Sequence, residues 1–351
     1  MSTAIITSPL HAAHDDPEHV EQAGRLAAIN AAIDQSGLRP DLWELTPRAA
    51  TSEQILAAHH PRVLEVVRRL SGRGAVWLDQ DTYLTAGSFD AACMAAGGAI
   101  QAVEAVVSGQ VTNAFALVRP PGHHATPMRS MGFCLFNNIA IAAHHAFNQL
   151  GISRIAIVDY DVHHGNGTQD CFYDDGRVLY CSTHASPLYP ETGEAHEHGH
   201  ESGYGTTLNL PLPHGAGDLG LFQVYDQLLL PAICDFVPQL ILVSAGFDGH
   251  WADPLGPLTL SVNGYAALTR RLVDLAREIC GGRIVLVLEG GYDLPALSAC
   301  VVAALRVLLS RDHGPDPLGP SGVSEPDITH VIEAVRERHP LAQARSINRW
   351  V

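Results

Sequence analysis

Six short apolar runs alternate along this chain with longer stretches of helical period, and no other feature narrows its fold as much. The runs, residues 4–7, 114–118, 154–159, 178–182, 240–244 and 284–288, lack the polar alternation of a half-exposed strand. Strands of that kind are buried on both faces, the condition of a parallel sheet covered by helices on each side. The segments 21–34, 88–108, 137–150, 219–236, 262–279 and 295–310 carry the helical pattern between them. Segment 88–108 is rich in Ala and Gly, which predicts close packing against its neighbours. Two stretches read as irregular: 189–206, dense in Gly, His and Glu, and 311–327, dense in Pro and Gly. A final amphipathic stretch, 328–338, follows the second. The expectation is one α/β domain over residues 1–351, with 311–327 as a loop before a C-terminal extension, 328–351.

In an open α/β sheet, ligands gather beyond the carboxyl ends of the strands. Four of the expected strands end in polar clusters: Arg119-Pro-Pro-Gly-His-His-Ala125, Asp159-Tyr-Asp-Val-His-His-Gly165, Ala245-Gly-Phe-Asp248 and Glu289-Gly-Gly-Tyr292. In an extended segment residues i and i+2 point the same way, so Asp161 and His163 reach a single point. A carboxylate and an imidazole at one point are half of a divalent-metal site, and Asp248 is the natural third ligand. Its plain alternative is a helix N-cap. Three protein ligands with an open position form the catalytic pattern, and two carboxylates with one imidazole suit Zn²⁺, with Fe²⁺ as the alternative.

His123 and His124 follow a glycine turn at a strand end, where imidazoles are placed to move protons near neutral pH; the alternative is a pair of surface histidines. Asp159 and Asn166 are available as a carboxylate and an amide partner for those rings. Tyr292 is either a half-buried aromatic or a phenolic donor beside the metal. The pairs His59–His60 and His144–His145 read as helix positions without function, and the run His196, His198 and His200 as a solvated loop.

The bulk properties fit this reading. Hydrophobic residues make up 46% of the chain and mean hydropathy is +0.08, enough for a large core. The balance of 21 Lys+Arg against 37 Asp+Glu gives a net charge of −16, which argues against a nucleic-acid binder. Seven scattered cysteines without C-x-x-C spacing predict buried thiols rather than disulfides. The N-terminal residues lack a basic region followed by an apolar one, and no apolar run approaches the ~18 residues of a membrane span. A cytoplasmic protein with no membrane partner is expected.

Taken together, RPPGHHA (119–125), GFCLFNN (132–138), VDYDVHHGNGTQ (158–169), SAGFDGHWADPLG (244–256) and LEGGYD (288–293) resemble the histone deacetylase superfamily, class II type. The likeness runs in order over about residues 14–297. It implies the arginase/deacetylase fold, a central, mostly parallel sheet flanked by helices with its active site at the strand ends. It also implies zinc-dependent hydrolysis of acetyl-lysine-type amides. By position, Asp161, His163 and Asp248 resemble the zinc ligands, His124 the general base and His123 its electrostatic partner. Tyr292 resembles the residue that polarises the acetyl carbonyl, and Asn166 stands where class I members place Asp. Phe133, with Gly132 before it, and Tyr189 resemble the walls of the acyl-lysine channel, Asp81 a rim residue that grips the substrate backbone, and Arg25 the arginine near the acetate exit. The family also holds K⁺. Asp159, Asp161, His163, Ser182 and Thr183 match one site; Phe172, Asp175 and Val178 match the other.

Three rivals stand beside this reading. An arginase-like ureohydrolase needs a second metal and the pattern D-x-H-x-D, but Gly165 occupies the last position. An acetylpolyamine deacetylase of this family carries a glutamate seven residues after the third ligand, and here that position is Leu255. A non-catalytic binding module would lack the tyrosine, the histidine pair or a ligand, and this chain has them all. The expected substrate is therefore an acetylated lysine protein or peptide, or another small acyl amide, with the oligomeric state left open.

Overall fold

The computed structural model describes residues 2–340; the part of the expected extension from 341 to 351 lies outside them. Eight parallel strands form the central sheet: β1 (Thr3–Ile6), β2 (Leu42–Leu45), β5 (Asn113–Ala116), β6 (Ile155–Asp159), β7 (Val178–Ala185), β8 (Thr207–Leu212), β9 (Leu240–Ala245) and β10 (Ile284–Leu288). Their order is β2-β1-β5-β10-β9-β6-β7-β8. A small antiparallel hairpin, β3 (Val76–Trp77) with β4 (Tyr83–Leu84), lies apart from the sheet.

The strand pleat sends alternate residues to two separate cores. On β10, Ile284, Leu286 and Leu288 enter one core. Val285 and Val287 enter the other. The first is completed by α1 (Gly24–Gln35), α9 (Val262–Cys280), α10 (Leu294–Leu308) and α11 (Thr329–Arg338), through residues such as Ile29, Leu272, Val301 and Ile332. The second is completed by α2 (Ser52–Leu56), α3 (Pro61–Ser71), α4 (Ser88–Val107) and α5 (Asn138–Gln149). Both faces of the sheet are thus dry, which is why its strands read as continuous apolar runs.

Close packing at α4 has a visible cause. A Cβ on Gly97 would lie 1.8 Å from the Arg48 carbonyl oxygen, so only glycine lets the 45–50 segment cross there. Among the described residues α4 is also the one helix long and apolar enough to cross a membrane by length and composition, although its apolar residues are not continuous. Its apolar window is 78% buried inside the protein, as a core helix should be.

The structure corrects the sequence reading in four places. Strands β2 and β8 and the hairpin were not foreseen. β2 and the hairpin strands are short, and β8 carries Pro211, tolerated because it is an edge strand. The helix expected over 21–34 starts at Gly24, since Glu21 is instead buried against Arg119 and Arg25. The helix expected over 219–236 is divided into α7 (Asp218–Val224), a π turn at Tyr225–Leu229 and α8 (Leu230–Phe236). Pro231 lacks the N–H that would close a regular turn there. Lastly, His59 and His60 sit between α2 and α3 rather than within a helix.

The irregular segment 311–327 is tied to the body of the protein. Glu325 accepts hydrogen bonds from the backbone N–H groups of Gly217, Leu219 and Gly220, capping α7 from over a hundred residues away. Trp251 Nε1 donates to the Gly319 carbonyl at 2.9 Å.

Candidate active site

The four polar clusters leave the carboxyl ends of β5, β10, β9 and β6, which are adjacent strands at the centre of the sheet. Adjacent register delivers their side chains to one place. Ligand atoms of Asp161, His163 and Asp248 all lie within 4.8 Å of one another. His163 Nδ1 is 3.1 Å from Asp161 Oδ1 and 3.3 Å from Asp248 Oδ2. The outer oxygens are aimed by backbone: Gly290 N–H donates to Asp161 Oδ2 at 2.9 Å and Val162 N–H to Asp248 Oδ1 at 2.9 Å. Asp248 Oδ2 is buried and accepts no hydrogen bond. Burial, and then the charge of Asp161, push the Asp248 carboxyl up to about 7. An orphaned buried oxygen facing a second carboxylate and an imidazole is what a divalent cation would satisfy, so the donor set fits one zinc ion.

Glycines make the approach of these groups feasible. A Cβ on Gly290 would lie 2.0 Å from Asp248 Oδ2, and one on Gly246 would lie 2.1 Å from Asp161 Oδ2. A Cβ on Gly165 would lie 2.2 Å from Asp159 Oδ2 and 2.6 Å from the Tyr180 hydroxyl oxygen. The place where a second metal would need its carboxylate is therefore filled by the partner of His123.

The two histidines have different surroundings. His123 Nδ1 is 3.0 Å from Asp159 Oδ2, which also accepts from the Tyr180 hydroxyl at 3.2 Å. Burial opposes protonation of His123, but Asp161 and Asp159 outweigh it and raise the ring to about 10. His124 Nδ1 is 2.8 Å from Asn166 Oδ1, an acceptor, so Nδ1 carries the proton and Nε2 keeps its lone pair. Burial, followed by the charges of His123 and His163, holds His124 well below the ordinary imidazole range. One ring therefore favours its protonated form and its neighbour the neutral form.

Above these groups is a cavity of about 280 Å³ lined by His123, His124, His163, Tyr292, Phe133, Gly132, Tyr189, Leu255 and Asp81, together with Pro121, Leu188 and Gly290. Phe133 and Tyr292 meet edge to face at 5.7 Å between centroids, and Tyr189 meets His124 the same way at 5.2 Å. Gly132 and Phe133 both have positive φ, 57° and 66°, in a tight turn from Met131 to Cys134. A Cβ on Gly132 would lie 2.5 Å from the His124 ring, so this glycine is fixed by the base it covers. Tyr292 is kept as a neutral phenol, since burial raises it well above its usual range against the pull of Arg25.

Arg25 does not line the cavity. It is buried behind Tyr292 with its guanidinium 4.9 Å from the ring centroid, donating to the carbonyls of Gly291 and Glu289. Of the residues matched to K⁺, His163 lines the cavity and the others lie off it. Asp159 stands opposite Ser182 in the β6–β7 register, and the Thr183 hydroxyl donates to the Asp159 carbonyl at 3.4 Å. Phe172, Asp175 and Val178 form a turn ahead of β7, in which Asp175 N–H donates to the Phe172 carbonyl and Val178 N–H to that of Asp175. The run His196, His198 and His200 takes no part in a metal-ligating group among the described residues.

Sequence reasoning passed over three buried groups that hold the site together. Glu289 accepts from the backbone N–H groups of Gly122 at 2.6 Å and His123 at 3.1 Å, fixing the histidine turn to β10. Asp253 accepts from the N–H groups of Tyr292 and Leu255. His59 donates from Nδ1 to the Thr126 carbonyl and accepts at Nε2 from Asn137 N–H, bracing the loop after His124. The only sequence signal for the first two was a lone acid inside an otherwise apolar or glycine-rich motif.

The histone deacetylase domain family matches residues 19–308. A probable deacetylase of Archaeoglobus fulgidus is 43% identical over 312 residues, covering 87% of this chain and 86% of that protein. The polyamine deacetylase HDAC10 of Homo sapiens is 40% identical over 320 residues, 87% of this chain and 47% of that protein. The crystal structure of the HDA15 HD domain superposes with a TM-score of 0.88 at 35% identity, covering 98% of this chain and 95% of that one.

Proposed function

Because this chain belongs to the histone deacetylase family and is a deacetylase-type amide hydrolase of the arginase/deacetylase fold, we propose that it removes acetyl or related acyl groups from lysine side chains of proteins and peptides. The observation that carries the proposal is the convergence, beneath one narrow aromatic cavity, of a three-ligand group, a cation–base histidine pair and a phenol.

Asp161, His163 and Asp248 would hold a zinc ion, which would supply Lewis acidity toward an amide carbonyl and a water whose pKa such an ion brings toward ~7. The chain does the rest. Phe133 and Tyr189 enclose an acyl-lysine stem and exclude water from it. His124 Nε2, with its lone pair free, takes the proton of the attacking water, while Asn166 holds the tautomer. His123, kept cationic by Asp159, stabilises negative charge as it develops. Tyr292 donates its phenolic proton in a hydrogen bond to the carbonyl oxygen as that oxygen gains charge. A histidine of the pair then protonates the leaving amine. Asp81, at the rim, is placed to accept from the substrate backbone.

Leu255 supports a lysine substrate over a polyamine. It lines the cavity where polyamine-selective members of the family place a glutamate, and an apolar wall offers a cationic chain nothing. The same reading places K⁺ at the Asp159, Asp161, His163, Ser182 and Thr183 set and at the Phe172, Asp175 and Val178 turn, takes the whole chain as one catalytic domain and puts it in the cytoplasm. Steady-state kinetics on an acetyl-lysine peptide and on acetylspermidine test the substrate assignment. The peptide is expected to have the higher kcat/KM, and a large preference for the polyamine would sink it.

A further inference from the structure

We propose that Asp253 is the positioning residue that fixes Tyr292 and Leu255 relative to each other, and through them both the rate of acyl transfer to water and the acyl length the cavity accepts. The inference rests on the reading of Tyr292 as the donor to the substrate carbonyl. Asp253 is buried, at 6% exposure, and does not line the cavity. Its two oxygens divide their work. Oδ2 accepts from the backbone N–H groups of Tyr292 at 2.6 Å and Asp293 at 3.1 Å, whereas Oδ1 accepts from that of Leu255 at 3.0 Å.

A local turn would need only the Leu255 bond, two residues along the same loop. The other oxygen reaches a different strand end, the one after β10, and grips it just past two glycines. Gly290 and Gly291 precede Tyr292, and Gly291 has φ 118°, a conformation open to glycine alone. Nothing at those two residues restrains the tyrosine by its own side chain. Arg25 lies over the Tyr292 ring and donates to the Gly291 carbonyl, and Asp253 accepts from the Tyr292 backbone N–H. Since Tyr292 and Leu255 both line the cavity, one carboxylate sets the width between donor and wall. The same loop carries Asp248, so the donor, the wall and a metal ligand are registered to one another by a single short segment.

The test is Asp253→Asn in the metal-loaded enzyme, with acetyl-, butyryl- and trifluoroacetyl-lysine peptides as substrates, alone and combined with Tyr292→Phe. An asparagine offers one oxygen, so either the Tyr292 or the Leu255 N–H must face an NH₂ group. With acetyl-lysine, kcat is expected to fall about tenfold while KM stays within about threefold, the signature of a misplaced donor rather than lost binding. Trifluoroacetyl-lysine, whose carbonyl is more electrophilic and leans less on a donor, should lose less, and the acetyl-to-butyryl ratio should shift. In the Tyr292→Phe background the Asn substitution should cost nothing further.

Wild-type kcat on acetyl-lysine, equal losses on acetyl and trifluoroacetyl peptides, or a full extra loss in the Tyr292→Phe background would each overturn the proposal. Should the Asn variant fail to fold, Asp253→Glu keeps the charge, displaces both oxygens by a methylene and is read by the same criteria. Near-wild-type turnover of Tyr292→Phe alone would remove the reading on which the inference stands, whereas an impaired Tyr292→Phe with an unimpaired Asp253→Asn removes the inference alone.

Discussion

The floor of the site and its rim are built by different means. The floor consists of side chains set directly on the ends of four neighbouring strands, aimed by backbone N–H groups and packed so tightly that glycines are required at Gly165, Gly246 and Gly290. The rim consists of Phe133, Tyr189, Leu255 and Asp81, each on a different loop. A floor of this kind allows one chemistry. A rim of this kind is free to change its substrate without disturbing what lies beneath, as binding loops on a rigid scaffold generally are.

Tyr292 belongs to the floor by function and to the rim by construction, and its removal should have the largest effect. Tyr292→Phe is expected to keep its metal and lose about 10²- to 10³-fold in kcat on an acetyl-lysine peptide, the usual cost of one oxyanion donor. Turnover within a few-fold of wild type would erase the distinction between floor and rim at this residue.

The floor should also be acid-sensitive through His59. This ring must be neutral to accept from Asn137 N–H, and burial lowers it from 6.5 to about 4. Between those values the unfolded chain binds the proton that the folded chain refuses. Its contribution to stability is therefore full above pH 6.5 and is lost as pH falls to about 4, amounting to about 3 kcal/mol. Denaturant titrations of wild type and His59→Gln at both pH values should show a steeper acid loss for wild type; identical slopes would disprove the role of His59 as a brace.

At the rim, Leu255→Glu is expected to move the ratio of acetylspermidine to acetyl-lysine kcat/KM about tenfold toward the polyamine, some 1.4 kcal/mol, with the floor unchanged. A fall in turnover on both substrates alike would mean that wall and floor are not independent. The smallest effect is expected at Asp81→Asn, which should raise KM for peptides by a few-fold and leave kcat and short acyl-amide substrates untouched; measuring both substrate classes checks it.

How much of this was legible in the sequence follows the same division. Asp161 and His163 lie just past β6, on a bend rather than the extended segment expected, and Asp248 lies just past β9, so their convergence follows from the order of the strands more than from strand pleat. The histidine pair needed only a strand end and a glycine turn. Asp253 and Glu289 were invisible because their partners are backbone N–H groups of distant segments, which leave no pattern in the chain. His59 was misplaced for the same reason: adjacent to His60 and between two helical stretches, it reads as a helix residue until Thr126 and Asn137 are brought to its two nitrogens. The edge strand β8 was hidden by Pro211, which a central strand would not carry.

The central claim is that one divalent metal, held by Asp161, His163 and Asp248, serves this site and that no second divalent metal is needed. Deacetylation of an acetyl-lysine peptide after exhaustive chelation, followed by titration with Zn²⁺, tests it directly. Activity should vanish on chelation and return in full at one equivalent of zinc per chain; activity that survives chelation, or that requires a second equivalent, would contradict it.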